Sequence, residues 1–443
     1  VAERERTWAA ARGPQACLMT EDLKQGSKLG DNELMLRIGR GGMATVWVAR
    51  EHGRAPNEDR LVAIKAMLPE LAEETEFVRM FLDEVRLVRS IRHPNVVNVY
   101  DVGEHDGVMW MSMEWVEGES LHTVIAEAGK RRAIPPEMAV RIIADAAAGL
   151  HAAHELRDEH AAPRGVVHRD ISPHNILIGT NGAVKLVDFG VAKAVGRVSE
   201  ATRAGQLKGK FGYMSPEQAR GKPIDRRSDL FALGIVLFEL TTSRRLFRGE
   251  TDIETLKLVI SSRVPPPTSL DPHYPPELER IVLRALQRDP QARYQSAAEL
   301  EADLRQYLKS KRIVVAQSGI AGLLKRVIGE RIEQRRRAVR SALRARTRGS
   351  FGDDLLSNEP VFTPTGGERI SVTGASVPSG PSRLSYSGIS SAGGSLPGVA
   401  PPSSRSVVSR GSSDPNRVIA IVAYSVGVAG ILIAIAVLYL NGH

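Results

Sequence analysis

The sequence predicts an α+β fold, and three observations predict it. Short apolar runs at Gly165-Val166-Val167, Val184-Lys185-Leu186-Val187 and Met111 to Gly118 have strand length and end at polar or glycine turns. Phe77, Met80, Phe81, Glu84, Val85 and Val88 recur at helical spacing and share one face. The chain has 443 residues, enough for two or three units, and its first two thirds alone can bury a full core.

The elements carry motifs in a fixed order. Ile38-Gly39-Arg40-Gly41-Gly42-Met43-Ala44-Thr45-Val46 is a glycine cluster, suited to a turn whose backbone must approach something closely. Val62-Ala63-Ile64-Lys65 follows, then the helical face with Glu84 among apolar neighbours. A glutamate there is costly unless paired. Asp83, the rival, falls off that face. Met111 to Gly118 comes next, and then His168-Arg169-Asp170-Ile171-Ser172-Pro173-His174-Asn175. Asp188-Phe189-Gly190 begins thirteen residues after Asn175. Met214-Ser215-Pro216-Glu217, the helix start Asp225 to Gly234 and Arg288-Asp289-Pro290 to Arg293-Tyr294 complete the series.

Together these motifs resemble protein kinases, and among them the bacterial Ser/Thr protein kinases of the eukaryotic-like superfamily, over roughly Asp31 to Leu308. The resemblance implies a bilobal protein kinase fold, with a β-rich small lobe and a helical large lobe. It implies ATP and Mg2+ as cofactors and protein hydroxyls as substrates. By the same resemblance, Asp170 is the base that accepts a hydroxyl proton, and Asn175 and Asp188 are metal ligands. Lys65 holds the α- and β-phosphates and pairs with Glu84. Ile38, Gly39, Gly41, Gly42, Val46 and Ala63 line the nucleotide. Met113 is the gatekeeper, and backbone groups of Glu114 and Val116 meet the adenine edge. Asp229, Glu217 and Arg293 are structural, with Glu217 and Arg293 paired. Arg169 before the catalytic Asp suits a phosphorylated activation segment, where Ser199 and Thr202 are the central hydroxyls.

Two positions depart from the family pattern. The third glycine of the first motif is Ala44. The lysine that Ser/Thr kinases carry two residues after the catalytic Asp is Ser172, while Lys210 stands where the family has a substrate-loop Thr. The cation and the hydroxyl exchange places, so Lys210 is expected to reach back toward Ser172 and Asp170 and restore charge at the transferring phosphate. Two function classes follow: an active kinase, or an impaired kinase fold serving as a membrane-tethered binding module.

Outside the motifs the composition changes. Residues 1–30 form an N-terminal extension without an apolar leader core, and the single cysteine, Cys17, excludes an internal disulfide framework and suits a reducing compartment. Residues 309–348 read as a basic helical segment. From 323 to 348 it holds ten Lys or Arg against two Glu, with Leu324, Val327, Ile328, Ile332, Val339 and Leu343 on one face. It either packs on the kinase lobe or meets anionic lipid. With no aromatic residues to stack bases, nucleic acid is not expected. The net charge of +9 owes much to this segment. Residues 349–417 are a Ser/Gly/Pro-rich flexible linker. Val418 to Leu440 then runs 23 residues without a charge, roughly 35 Å as a helix at 1.5 Å per residue, which spans a bilayer. Arg405, Arg410 and Arg417 precede it and three residues follow, so a single-pass anchor in the inner membrane with a cytoplasmic kinase is expected. Ala423/Gly427 and Gly430/Ala434 permit a homodimer through that helix.

Overall fold

Strands β1 (Lys28–Leu29), β2 (Asn32–Arg40), β3 (Ala44–Glu51) and β4 (Arg60–Met67) lead into helix α1 (Thr75–Ser90), followed by β5 (Val99–His105) and β6 (Val108–Glu114). The computed structural model describes residues 23–53, 60–68, 71, 75–129, 134–189 and 211–347. The six strands form one antiparallel sheet in the order β1-β2-β3-β4-β6-β5. Strand period explains its two faces. Val62, Ile64 and Ala66 of β4 pack with Leu34, Trp47 and Trp110 on one side. On the other, Met67, Met109 and Met111 meet Val78, Phe81 and Val85 of α1. Lys65 shares the second face with Ala63 and Met67, so it points toward α1. The expected α1 face is confirmed at Phe81, Val85 and Val88, and Val78 joins it.

The large lobe follows with β7 (Gly118–Ser120), α2 (Leu121–Gly129), α3 (Pro136–His154), β8 (Ile176–Gly179) and β9 (Val184–Leu186). Then come α4 (Pro216–Ala219), α5 (Arg226–Thr242), α6 (Asp252–Ser261), α7 (Pro267–Leu270), α8 (Pro276–Ala285), α9 (Ala297–Ser310) and α10 (Gln317–Thr347). Helices α3 and α5 are apolar nearly all round and form the centre of this lobe. The Asp225 carboxylate caps α5 by accepting from the Arg227 N–H. β7, β8 and β9 make a small antiparallel sheet beside the site. Gly118 is needed there, because a Cβ would lie 2.0 Å from the Ile178 carbonyl oxygen.

Two expectations change. Gly165-Val166-Val167 is not a strand; among the described residues no strand runs beside it. The basic segment forms α10, and its apolar face is not open: Leu324, Ile328 and Ile332 join the large-lobe core, and Val339 is buried too. The lobe-packing alternative is therefore the observed one, and lipid would meet the polar face alone.

The rest of the expected organisation lies outside the described residues. This applies to residues 1–22, Gly190, the activation-segment residues Ser199, Thr202 and Lys210, the linker 349–417 and the apolar run 418–440. Among the described residues, no helix is long and apolar enough to cross a membrane.

Candidate active site

Lys65 projects from the middle of β4, where Val46 and Met111 flank it on β3 and β6. Its Nζ donates to Glu84 Oε1 at 2.9 Å and Oε2 at 3.1 Å, and to Asp188 Oδ1 at 3.0 Å. This decides between Glu84 and Asp83 of α1. Asp83 instead accepts from Arg86 and is about two fifths exposed. Burial pulls the Lys65 ammonium down, but Asp188 and Glu84 outweigh it and hold its pKa above the ordinary lysine value. Lys65 is thus a fixed cation. Burial pushes the Glu84 carboxyl up, Lys65 opposes that push, and the Asp188 and Asp170 charges add to it.

The loop from His168 to Asn175 is held from below. Asp229, buried at the start of α5, accepts from the backbone N–H of His168 at 2.7 Å and of Arg169 at 2.8 Å. His154 Nε2 lies 2.8 Å from the same carboxylate. Arg169 sits at φ +65°, a left-handed conformation that a non-glycine residue keeps only where its surroundings impose it. The Gln218 amide donates to the Arg169 carbonyl at 3.1 Å, tying α4 to the loop. Among the described residues the Arg169 guanidinium has no hydrogen-bond or ion-pair partner. His168 packs its ring 4.4 Å from that of Phe189, in a cluster with Val88, Ile91 and Val96. Its pKa is lowered, chiefly by burial.

Asn175 donates its amide to the Asp170 carbonyl at 2.8 Å and to Asp170 Oδ2 at 3.0 Å. The Asp170 carboxylate is therefore oriented, and the Asn175 amide oxygen takes no part in these two bonds. Asp188 itself sits at φ +54°. An amide oxygen and a carboxylate are hard donors of the kind a small divalent cation takes. Ser172 is 1% exposed, and no described residue hydrogen-bonds its Oγ.

At the interlobe segment, the Glu114 N–H donates to the Asn98 carbonyl at 2.8 Å. The Glu114 side chain is clamped by Lys185 Nζ at 2.6 Å and Asn98 Nδ2 at 3.1 Å. Ala63 lies opposite Met113 in the β4–β6 register. Ile38 and Gly39 lie just before the end of β2 at Arg40, and Val46 pairs with Gly39 beside a bulge. The Gly41 N–H donates to the Ala44 carbonyl at 2.8 Å. A Cβ at Gly39 or Gly41 would meet its protein neighbours only at ordinary contact distance, 3.9 and 3.6 Å. Packing within the protein does not demand glycine at these positions. Gly42 and Val116 fall in the same two segments.

Sequence reasoning missed Lys185, Asn98, His154 and Gln218. Lys185 carried a signal: a lysine alternating with apolar residues in a short strand needs a buried partner. The others act through tertiary contacts and carried none.

A protein kinase domain family model matches residues 33–304, more than half of the chain. The chain belongs to the protein kinase domain family. It is 39% identical over 339 residues to the tyrosine-protein kinase MasK of Myxococcus xanthus, covering 76% of this chain and 52% of that protein. It is 37% identical over 284 residues to the serine/threonine-protein kinase PrkC of Bacillus subtilis, covering 64% of this chain and 41% of that protein. Against the serine/threonine-protein kinase PknB of Mycobacterium leprae, identity is 35% over 271 residues, with 60% and 41% covered. The chain thus spans about two fifths to one half of the length of these relatives. Among solved structures, the PknI kinase domain of Mycobacterium tuberculosis aligns at 24% identity with TM-score 0.48, covering 64% of this chain and 98% of that one.

Proposed function

We propose that the chain transfers the γ-phosphoryl group of ATP to Ser and Thr hydroxyls of proteins. The observation that carries this reading is the Lys65–Glu84–Asp188 ion triad set beside the Asp170–Asn175 pair. ATP and Mg2+ suit the donors present: Asn175 and Asp188 would hold the metal, which supplies charge neutralisation at the phosphates. Lys65, fixed by Glu84, grips the phosphates. Asp170, oriented by Asn175, lines up the substrate hydroxyl and takes its proton. Asp229 keeps the loop in place, so the chemistry rests on positioning and preorganised charge. Gly39, Gly41 and Gly42 let the backbone lie over the phosphates, and the backbone at Glu114 and Val116 meets adenine.

A preference for tyrosine, or for both hydroxyl types, is the second reading. Ser172 in place of the Ser/Thr-kinase lysine and the likeness to the Myxococcus tyrosine kinase favour it. The purified chain, incubated with labelled ATP beside Asp170→Asn, decides among these readings by phosphoamino-acid analysis and mass spectrometry. Phosphoserine and phosphothreonine, with Ser199 or Thr202 modified, are expected. Phosphotyrosine alone would move the assignment to the second reading. Label no greater than in Asp170→Asn would favour the non-catalytic binding module. In the same assay Lys210→Thr and Ser172→Lys should each be slower than the unaltered chain and the double exchange should recover. Full activity of Lys210→Thr removes the proposed role of Lys210.

The kinase is tethered, on this reading, to the inner membrane by residues 418–440 and faces the cytoplasm. Deleting 417–443 is expected to move it to the soluble fraction after ultracentrifugation, with catalysis retained. A truncated protein still in the membrane pellet would rule out 418–440 as the sole anchor.

A further inference from the structure

Helix α10 lies beyond the matched kinase region, yet it is built into the interlobe segment. It is two helical stretches that meet at a kink at Ile328, where the backbone is non-helical with φ −135° and ψ 22°. On one side it packs against α2 of the large lobe, and on another against β2 of the small-lobe sheet. Its start is fixed too. A Cβ on Gly182, in the turn between β8 and β9, would fall 2.0 Å from the Gln317 carbonyl oxygen. Just before the helix, the Arg141 guanidinium donates to the Val315 carbonyl at 2.5 Å.

The arginines after the kink grip the segment that joins the lobes. Arg335 Nη1 donates to the Gly118 carbonyl at 2.6 Å, and its Nη2 donates to Glu119 Oε2 at 2.5 Å. Arg331 Nε donates to the same Glu119 oxygen at 3.0 Å. Arg336 makes a two-pronged pair with Glu117, at 2.7 and 2.8 Å, which holds the Glu117 carboxyl below the usual carboxylate range. Glu117 is fixed from its other side as well. Its carbonyl accepts from the Thr180 N–H at 2.7 Å, and its carboxylate accepts from Thr180 Oγ1 at 3.2 Å. The Arg335–Glu119 pair is largely withdrawn from water, each side chain 11% exposed, whereas Arg336 and Glu117 are about two fifths exposed. Geometry and burial together make Arg335 the strongest of these contacts. Its target, Gly118, lies two residues after Val116. It also opens β7, which pairs with β8, the strand leaving Asn175.

We propose, on the reading of a nucleotide-binding kinase site given above, that Arg335 is a positioning residue for the nucleotide, supplied from outside the catalytic domain. By fixing the Gly118 carbonyl and the Glu119 carboxylate, it sets the path of residues 114–118, against which adenine lies. Helix α10, seated on both lobes, carries that constraint. The kinase therefore depends for its nucleotide affinity on residues 317–347. These arginine bonds end on residues 117–119 of the interlobe segment, so the effect falls on ATP binding and not on the chemical step.

The test uses the full chain and compares Arg335→Ala, Arg335→Lys and Glu119→Gln with the unaltered protein. KM for ATP, kcat and the dissociation constant of a non-hydrolysable ATP analogue with Mg2+ are measured for each. Arg335→Ala is expected to raise both KM and the dissociation constant about 3- to 10-fold while kcat changes less than about 2-fold. Lysine lacks the planar fork that reaches Gly118 and Glu119 together, so Arg335→Lys should recover only part of the loss. Arg344→Ala, on the exposed side of the same helix, should change nothing. If Arg335→Ala does not fold, Arg335→Lys and Glu119→Gln, which keep side-chain volume, carry the comparison. Unchanged KM and analogue affinity in folded Arg335 variants overturn the proposal. A fall in kcat with unchanged KM overturns it equally. Failure of the unaltered chain to bind the analogue would instead bring down the nucleotide-site reading itself.

Discussion

Asp188→Ala in the purified full chain should lower phosphoryl transfer by about 10³-fold or more, the scale of removing a group that stabilises charge at the transferring phosphoryl. The fold should survive, because the Asp188 side chain is half exposed and Lys65 keeps Glu84 as its partner. Lys65→Ala should be as inactive but less stable. It strands Glu84, only 13% exposed, whose carboxyl burial already pushes upward, and the glutamate would answer by taking up a proton. Asp188→Ala is therefore the cleaner measurement, and Asp188→Asn cleaner still, since asparagine tolerates the φ of +54° found there. Asp170→Asn should lower kcat by about 10²- to 10⁴-fold, the usual contribution of a positioned base. The measurement is label incorporation by folded protein, with folding checked by circular dichroism. Transfer at the unaltered rate in Asp188→Asn would sink the metal-ligand assignment.

The second large effect is on stability. Arg293→Ala should destabilise the kinase by about 3–5 kcal/mol, the cost of removing one partner of a buried ion pair. Arg293 is 1% exposed and donates to Glu217 at 2.7 and 2.9 Å, and also to the carbonyls of Gln287, Arg227 and Arg288. Its loss leaves a buried carboxylate and three carbonyls short of a donor. Lysine cannot supply this fork, so Arg293→Lys should recover little. Burial pushes the Glu217 carboxyl up, but the bonds from Arg293 and Ser228 prevail, and its pKa lies below the ordinary value of 4.5. The unfolded chain then binds more protons in that range, so the pair's contribution is complete above pH about 4.5 and is lost as pH falls through the lower folded value. Urea unfolding at pH 7 and at acid pH measures both. A midpoint for Arg293→Ala within error of the unaltered protein at pH 7 would show the pair to be dispensable.

Sequence alone determined the fold class, the order of the motifs and the side chains that the fold gathers at the candidate site. The reason is chemical. A base, two oxygen donors for a metal and a fixed cation require particular residue types, and short loops set the spacing between them. Asp170 and Asn175 are five residues apart because their side chains must meet, and they do. Helical periodicity likewise chose Glu84 over Asp83, since only one of them shares the apolar face that turns toward Lys65. The tertiary structure decided what periodicity cannot express. Gly165 to Val167 had strand composition, but a strand needs a partner, and among the described residues none runs beside it; the residues that follow, His168 and Arg169, are held by the carboxylate of Asp229, some sixty residues away. The arginines after Ile328 had the composition of a lipid-facing helix. Whether its apolar face met lipid or protein depended on a groove made by α2 and β2, and on the acidic residues Glu117 and Glu119 lying more than two hundred residues earlier. A local pattern records which face of an element is apolar; the surface that covers it is set by the packing of all the others.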